Sequence, residues 1–315
     1  MTSMISQTSL PQDSPAGQRY VSVYALHAGS IFLPDSDVFE DSIGKDGGLT
    51  VPSFAFLIDH EVHGKFMFDL GLRKGGKGYP PAWDETLIEL KVDCSKNVAD
   101  LLQEGGVQPS SINSIIYRYS KACGPHLHFD HVGDLTPFPH AELIVGADTA
   151  ALMQQTYPGD PTSLWPEWPA GQKVRYLHFG DADAPARPIA PFHSFARALD
   201  LYGDGSFYLL DAPGHLPGHL AALARVSPNA FILLAGDCCH NRQCYTPGVR
   251  LVSRENYHDI ETARDTVERL KRMNGEPNVV LVLAHERERL EDSMPLFPQR
   301  LNEWVTTEIV RKRHE

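Results

Sequence analysis

Residues 126–134, His126-Leu127-His128-Phe129-Asp130-His131-Val132-Gly133-Asp134, place three imidazoles and a carboxylate within their first six positions. That many lone pairs are too polar for a core element and too concentrated for an ordinary surface loop, and a metal ion gathers them best. His126 and His128, two apart in an extended segment, project to the same side and can reach one ion. The adjacent Asp130 and His131 can turn to a second. The bland alternative is a histidine-rich surface loop, and the rest of the chain tests it by supplying the missing ligands or failing to.

Working outward, the 315 residues include 42% hydrophobic and 22% charged positions, enough apolar material for a full core. The formal charge of -12, from 40 acidic against 28 basic residues, disfavours a nucleic-acid partner, which needs clustered Lys and Arg. Cys94, Cys123, Cys238, Cys239 and Cys244 form no CxxC pair, so neither a disulfide framework nor a zinc ribbon is indicated and a reducing compartment fits. Residues 1–19, rich in Ser, Thr, Gln and Pro, read as a flexible polar tail rather than a signal peptide, ahead of one domain over 20–315. No apolar run reaches the roughly 18 residues of a membrane span, so a cytoplasmic protein without a membrane partner is expected.

Alternation predicts strands over 20–26, 53–58 and 65–71, the last two joined as a hairpin near His63-Gly64. Asp69 ends the third of these before a glycine turn; it either caps the turn or serves a charge nearby. Residues 73–84 carry the Gly and Pro density of a loop. A helix is expected from about Asn97 to Gln103, ended by Gly105-Gly106, then a buried strand from Ile112 to Tyr117. The segment 118–125 is a loop. Beyond the histidines, 141–145 reads as a strand, 147–155 as a short helix, and 157–170 as a Pro/Trp-rich loop, either the rim of a substrate pocket or pinned to the body by its tryptophans. Strands over 206–210 and 222–225 bracket the run PGHLPGH at 213–219. An apolar strand at 231–235 ends in Gly236-Asp237, a helix spans 259–271, and a buried strand at 279–283 ends at Ala284-His285. Strands that feed polar residues at their ends, followed by helices, recur in both halves. Two such halves packed sheet to sheet, helices outside, give an α/β protein built as a four-layer αββα sandwich.

Asp69, 126–131, His215, Asp237 and His285 all fall at strand ends. With FDLG at 68–71, HLHFDHVGD at 126–134, PGHLPGH at 213–219, LLAGD at 233–237 and LAH at 283–285, the chain resembles the metallo-β-lactamase superfamily, and within it the lactonase-like branch that includes N-acyl homoserine lactonases. The resemblance implies a dinuclear site. His126, His128 and His215 would hold one ion, Asp130, His131 and His285 the other, and Asp237 would bridge them, while Asp69 would orient a histidine ligand from behind. Imidazole and carboxylate donors suit two zinc ions, although iron, manganese or cobalt fit the same set. Two divalent ions about 3.5–4 Å apart make hydroxide available near neutral pH. The implied activity is a hydrolase whose metal-bound hydroxide opens a small cyclic substrate, a lactone, γ-lactam or cyclic carbamate, with Asp130 passing the proton to the leaving group.

Where the homoserine lactonases carry a tyrosine three residues after the bridging aspartate, this chain has His240, which either donates a hydrogen bond in its place or is solvated. His219 is expected to be a structural hydrogen-bonding residue, and Cys238 and Cys239 to be packed small residues. The family usually runs from strand to first histidine without the extra residues 118–125, which either bulge outward or loosen the first metal site. Alternatives of the same fold are a glyoxalase II-like thioesterase and an iron-dependent sulfur oxygenase; a non-catalytic metal-binding protein is the alternative outside enzymes.

Overall fold

The computed structural model describes residue 10 and residues 17–117, 129–147, 149–179 and 188–314. The first strand, β1 (Val21–Pro34), shows how the sequence builds its layers. Val21, Val23 and Ala25 enter one apolar cluster while Leu26 enters another, as a period of two requires. A bulge between His27 and Ser30 then shifts the register. Past it the odd-numbered Ile31 and Leu33 join the cluster that Leu26 occupies, because one extra residue exchanges the two faces.

β1 pairs with β2 (Gly48–His60), which turns back into β3 (Gly64–Phe68) as the expected hairpin. Parallel strands β4 (Ile112–Tyr117), β5 (Glu142–Gly146) and β6 (Val174–Leu177) complete a sheet in the order β1-β2-β3-β4-β5-β6. The second sheet contains β7 (Ile189–Phe192), β8 (Phe195–Asp200), β9 (Phe207–Asp211), β10 (Leu220–Ser227), β11 (Ala230–Gly236) and β12 (Val279–Leu283), in the order β12-β11-β10-β9-β8-β7.

The sheets pack face to face. Phe54, Phe56, Phe66 and Phe68 of the first share one buried cluster with Leu209, Ala222, Leu234 and Val282 of the second. Phe66 and Phe207 meet edge-on across the gap with ring centres 5.0 Å apart. The outward faces are covered by helices. Val98, Ala99 and Leu102 of the helix Val98–Glu104 are buried, and so are Ala263, Val267, Leu270 and Met273 of the helix Ile260–Asn274. Each of the larger of these side chains contributes about 1.5–3 kcal/mol, an upper bound given a compact unfolded chain. Asn97 and Asp100 cap the first helix reciprocally, and Asp259 caps the second. The architecture is therefore the four-layer αββα sandwich expected from the sequence.

A helix without a counterpart in the sequence reading, Asn302–Lys312, ties the two sheets together at one edge. The Asn302 amide donates to the Val21 and Val226 carbonyls and accepts from the Val23 N–H, so one side chain bridges β1 and β10. Strands β6, β7 and β8 likewise have no counterpart among the strands the sequence pattern predicts. Within the stretch expected as a helix over 147–155, the described helix is only Thr149–Leu152. Of the expected tail, Leu10 is buried and Gln18 bonds the Asp204 carbonyl and the Arg225 side chain. The segment 118–125 lies outside the described residues. Among those described, no helix is long and apolar enough to cross a membrane.

Candidate metal centre

The topology explains why residues far apart in sequence meet. β3 and β4 are parallel, so the chain leaves both at the same edge of the first sheet. β11 and β12 are parallel, and β9, antiparallel to β10, runs in their direction, so Asp211, Gly236 and Leu283 all end toward one edge of the second. The middle of β2 joins the two edges: the Phe54 N–H donates to the Ala284 carbonyl at 3.0 Å, and the Ser53 hydroxyl donates to the Asp130 carbonyl at 2.7 Å.

Asp69 follows β3 with φ of 64°, a left-handed conformation that aspartate tolerates better than most residues. The next residues are stitched to the histidine segment, with the Leu70 N–H donating to the His131 carbonyl at 2.8 Å and the Gly133 N–H to the Gly71 carbonyl at 2.9 Å. Phe129–His131 forms a single 3-10 turn, and Phe129, Asp130 and His131 are buried. His215 lies in the PGHLPGH run after β9. There Gly214, at φ of 123°, lets the chain pass so close to the helix Ile260–Asn274 that a Cβ would sit 2.3 Å from the Ala263 backbone.

The imidazoles are fixed from behind, all through Nδ1. His131 Nδ1 lies 3.2 Å from Asp69 Oδ2, His215 Nδ1 lies 2.9 Å from the Asn256 carbonyl, and His285 Nδ1 lies 2.8 Å from the Pro52 carbonyl. A carbonyl oxygen or carboxylate only accepts, so each Nδ1 carries a proton and Nε2 is the atom each ring has left to offer an ion. Those Nε2 atoms converge on two carboxylates. His285 Nε2 is 3.1 Å from Asp130 Oδ2 and 3.5 Å from Asp237 Oδ1; His131 Nε2 is 2.8 Å and His215 Nε2 3.5 Å from Asp237 Oδ2. Asp237 thus touches His131 and His285 as well as His215, which the resemblance assigns to different ions. Burial works against the charge on Asp130, but His131 and His285 in their protonated, ion-free form more than offset it and hold the carboxyl well below its usual range.

Lone pairs turned inward with protons committed outward are what a metal site requires. Two groups have donor atoms close enough for an ion: Asp130, His131 and His285, and His215, Asp237 and His240. His126 and His128, the two other ligands expected from the sequence, lie outside the described residues. A third group, His60, His63 and Asp204, does not suit a metal. His60 Nδ1 accepts the Val62 and His63 N–H groups, which leaves Nε2 as the donor to Asp204 Oδ2 at 2.9 Å, so this ring has no lone pair to spare.

His219 is built into the core. It is 1% exposed, its Nδ1 donates to the Ala212 carbonyl at 3.1 Å, and its Nε2 accepts the Asp237 N–H at 3.4 Å. Three supporting groups have no short-motif signal in the sequence. Ser53 holds the Asp130 carbonyl, Asn256 holds His215, and Glu286 accepts from Arg242, Tyr245 and the Leu283 N–H just before His285. A small open cleft meets this floor, lined by Ile31, Leu33, Leu90 and Phe129 as well as by Asp130, His240, Asn256 and His285. The Pro/Trp-rich loop is tied to the body, with Trp165 8% exposed and the Trp83 indole N–H donating to the Leu164 carbonyl at 2.8 Å. It borders a separate pocket lined by Tyr117, Trp165 and Trp168.

No family-level sequence profile matches the chain. Among curated proteins, gamma-lactamase MBL2 of Gibberella moniliformis (strain M3125 / FGSC 7600) is 36% identical over 56% of this chain and 70% of its own length. The chain belongs to the metallo-β-lactamase superfamily. Metallo-hydrolase mfmC of Annulohypoxylon moriforme, 28% identical, matches this superfamily member over 97% of the chain and 90% of its own length. The cytochrome P450 monooxygenase mpaDE of Penicillium roqueforti (strain FM164) is 32% identical over 92% of the chain, which spans only 36% of that protein. A solved quorum-quenching N-acyl homoserine lactone lactonase shares the metallo-β-lactamase fold, with a TM-score of 0.64, 19% identity and coverage of 90% of this chain and 99% of its own.

Proposed function

We propose that this chain is a metal-dependent hydrolase that opens a small cyclic ester or amide, a lactone, γ-lactam or cyclic carbamate, on two divalent ions of which zinc suits the donors best. The observation that carries the reading is the convergence of three Nε2 atoms on Asp130 and Asp237, each imidazole anchored at Nδ1. In this reading His126, His128 and His215 hold one ion, Asp130, His131 and His285 the other, and Asp237 lies between. The relatives named gamma-lactamase and metallo-hydrolase support the reaction class.

Two divalent ions, when bound, supply the Lewis acidity that ionises water and polarises a carbonyl near neutral pH. The chain's own residues supply the rest. Ile31, Leu33, Leu90 and Phe129 form an apolar wall that packs a compact ring and displaces water from it, while the polar floor faces the carbonyl. Asp130 accepts the proton of the attacking water through its carboxylate and returns it to the ring oxygen or nitrogen that leaves.

The test is metal analysis of the purified protein with a panel of γ-lactones, γ-lactams, cyclic carbamates and thioesters. Ring opening that is lost with EDTA, restored by Zn²⁺ and abolished in Asp130→Asn is the expected result. Bound metal with no turnover on the panel overturns the enzymatic reading, and turnover of thioesters alone overturns the cyclic substrate class.

A further inference from the structure

His240 stands three residues after Asp237, is 4% exposed, and faces the cleft beside Asp130 and His285. We propose that His240 is a metal ligand, joining through Nε2 the ion that His215 and Asp237 hold. The proposal rests on the metal-site reading above and adds to it a protein donor where the lactonases carry a phenol.

Distances carry the first step. His215, Asp237 and His240 each place a donor atom within 4.8 Å of the other two. With His240 added to the four protein donors proposed above the ion would be five-coordinate; donors with Zn–N bonds of about 2.1 Å then sit roughly 3–3.5 Å apart, and His215 Nε2 is already 3.5 Å from Asp237 Oδ2. Only the His240 ring has ground to close.

The ring's orientation carries the second. His240 Nδ1 lies 3.1 Å from the Tyr257 hydroxyl, so this imidazole too is anchored at Nδ1, as His131, His215 and His285 are. The side-chain amide nitrogen of Asn256 approaches Nε2 at 3.5 Å, and an amide N–H faces a lone pair rather than another proton. The hydroxyl can donate or accept and so admits either tautomer, while the amide N–H selects the one with the proton on Nδ1 and the lone pair on Nε2, a lone pair that an ion would take over from this long contact. That tautomer does not donate toward the cleft, so the geometry favours coordination over the donor role that a tyrosine would play.

The third step is shared support. Asn256 fixes His215 with its backbone carbonyl and reaches His240 with its side chain, and Tyr257 follows directly, so one short segment sets both rings. The His240 ring is edge-on to His215, with centres 5.0 Å apart, and parallel to His285, with centres 5.6 Å apart and planes within 7°.

The test uses the full chain and reads metal, not turnover. Metal-free wild type, His240→Ala, His240→Gln and Tyr257→Phe are titrated with Zn²⁺ against a chelating dye and with Co²⁺ by visible absorption. His240→Ala is expected to weaken one of the ions by about tenfold or more and to change the Co²⁺ bands, and Tyr257→Phe to weaken the same ion less while keeping stoichiometry. Wild-type Zn²⁺ affinity with unchanged Co²⁺ bands in His240→Ala overturns the proposal. Should that variant fail to fold, unchanged bands in His240→Gln overturn it equally. A wild-type chain that takes up no Zn²⁺ or Co²⁺ overturns the metal-site reading itself, which separates the two failures.

Discussion

Asp69 Oδ2 lies 3.2 Å from His131 Nδ1, and both side chains are almost fully buried, at 1% and 4% exposure. The left-handed backbone of Asp69 aims its carboxylate at the rear of the imidazole, so a conformation that costs energy is retained where it orients a ring. Asp69→Asn preserves the backbone, because asparagine also adopts positive φ, but removes the charge that commits the His131 proton. Metal affinity is expected to fall by roughly 10- to 100-fold, with the melting temperature of the metal-free protein little changed. A chelator competition measures it; unaltered affinity would mean that Asp69 only caps its turn.

Two residues on, Gly71 shows how tightly this turn is seated. A Cβ there would stand 2.2 Å from the Ala28 Cβ and 2.9 Å from the Ala28 carbonyl oxygen, on a backbone at φ of 60°. Gly71→Ala adds a left-handed alanine, about 1–2 kcal/mol, to an overpacking cost of about 1–3 kcal/mol. Urea unfolding should therefore lose roughly 2–5 kcal/mol. Gly76→Ala is the control: its φ is 65° but nothing lies within 4 Å of its Cβ, so only the first cost applies.

The two sequence features most legible in advance were the apolar strands and the histidine-aspartate runs at their ends. β4 and β12 occupy the same residues as the expected strands, because Ile115, Ile116, Val280 and Val282 are buried in continuous apolar runs bounded by polar loops. Strands β6, β7 and β8 were not legible. β6 and β7 are only four residues long, and Arg175 in β6 and Arg197 in β8 lie where alternation would give an inward apolar residue or a neutral outward one. The site splits along the same line. Asp130, His131, His215, Asp237 and His285 announce themselves as clustered donors, whereas Ser53, Asn256 and Tyr257 act through one or two contacts to partners elsewhere in the chain, such as the 2.7 Å bond from Ser53 to the Asp130 carbonyl across 77 positions. Nothing local in the sequence encodes such a pairing; the sheet topology does.

The cysteines follow from burial rather than from chemistry. Cys94, Cys238, Cys239 and Cys244 are buried thiols, and burial pushes the Cys94 thiol up to about 11 while its Sγ donates to the Lys96 carbonyl at 3.3 Å. An unfolded cysteine ionises near about 8.5, so above that pH the unfolded chain sheds this proton first. The stability contributed by the protonated thiol is complete below about pH 8.5 and is lost as pH rises toward about 11. In a Cys123→Ser background, a thiol reagent at pH 8 should label the native protein slowly and all four remaining cysteines at once in guanidinium. Rapid labelling of the native state would contradict the burial.

His219 offers a clean separation between holding a metal and holding the residue that holds it. Its Nε2 accepts the Asp237 N–H at 3.4 Å and its Nδ1 donates to the Ala212 carbonyl at 3.1 Å, which commits both nitrogens to the backbone. His219→Ala therefore opens a cavity and strands two buried backbone groups, at a cost on the order of 2–4 kcal/mol. Metal stoichiometry is expected to stay at the wild-type value, since no donor to an ion is removed, while affinity declines as Asp237 loosens. Denaturant unfolding together with metal analysis of the same preparation reads both quantities. A folded His219→Ala protein that had lost one ion outright would move His219 from the framework into the ligand set.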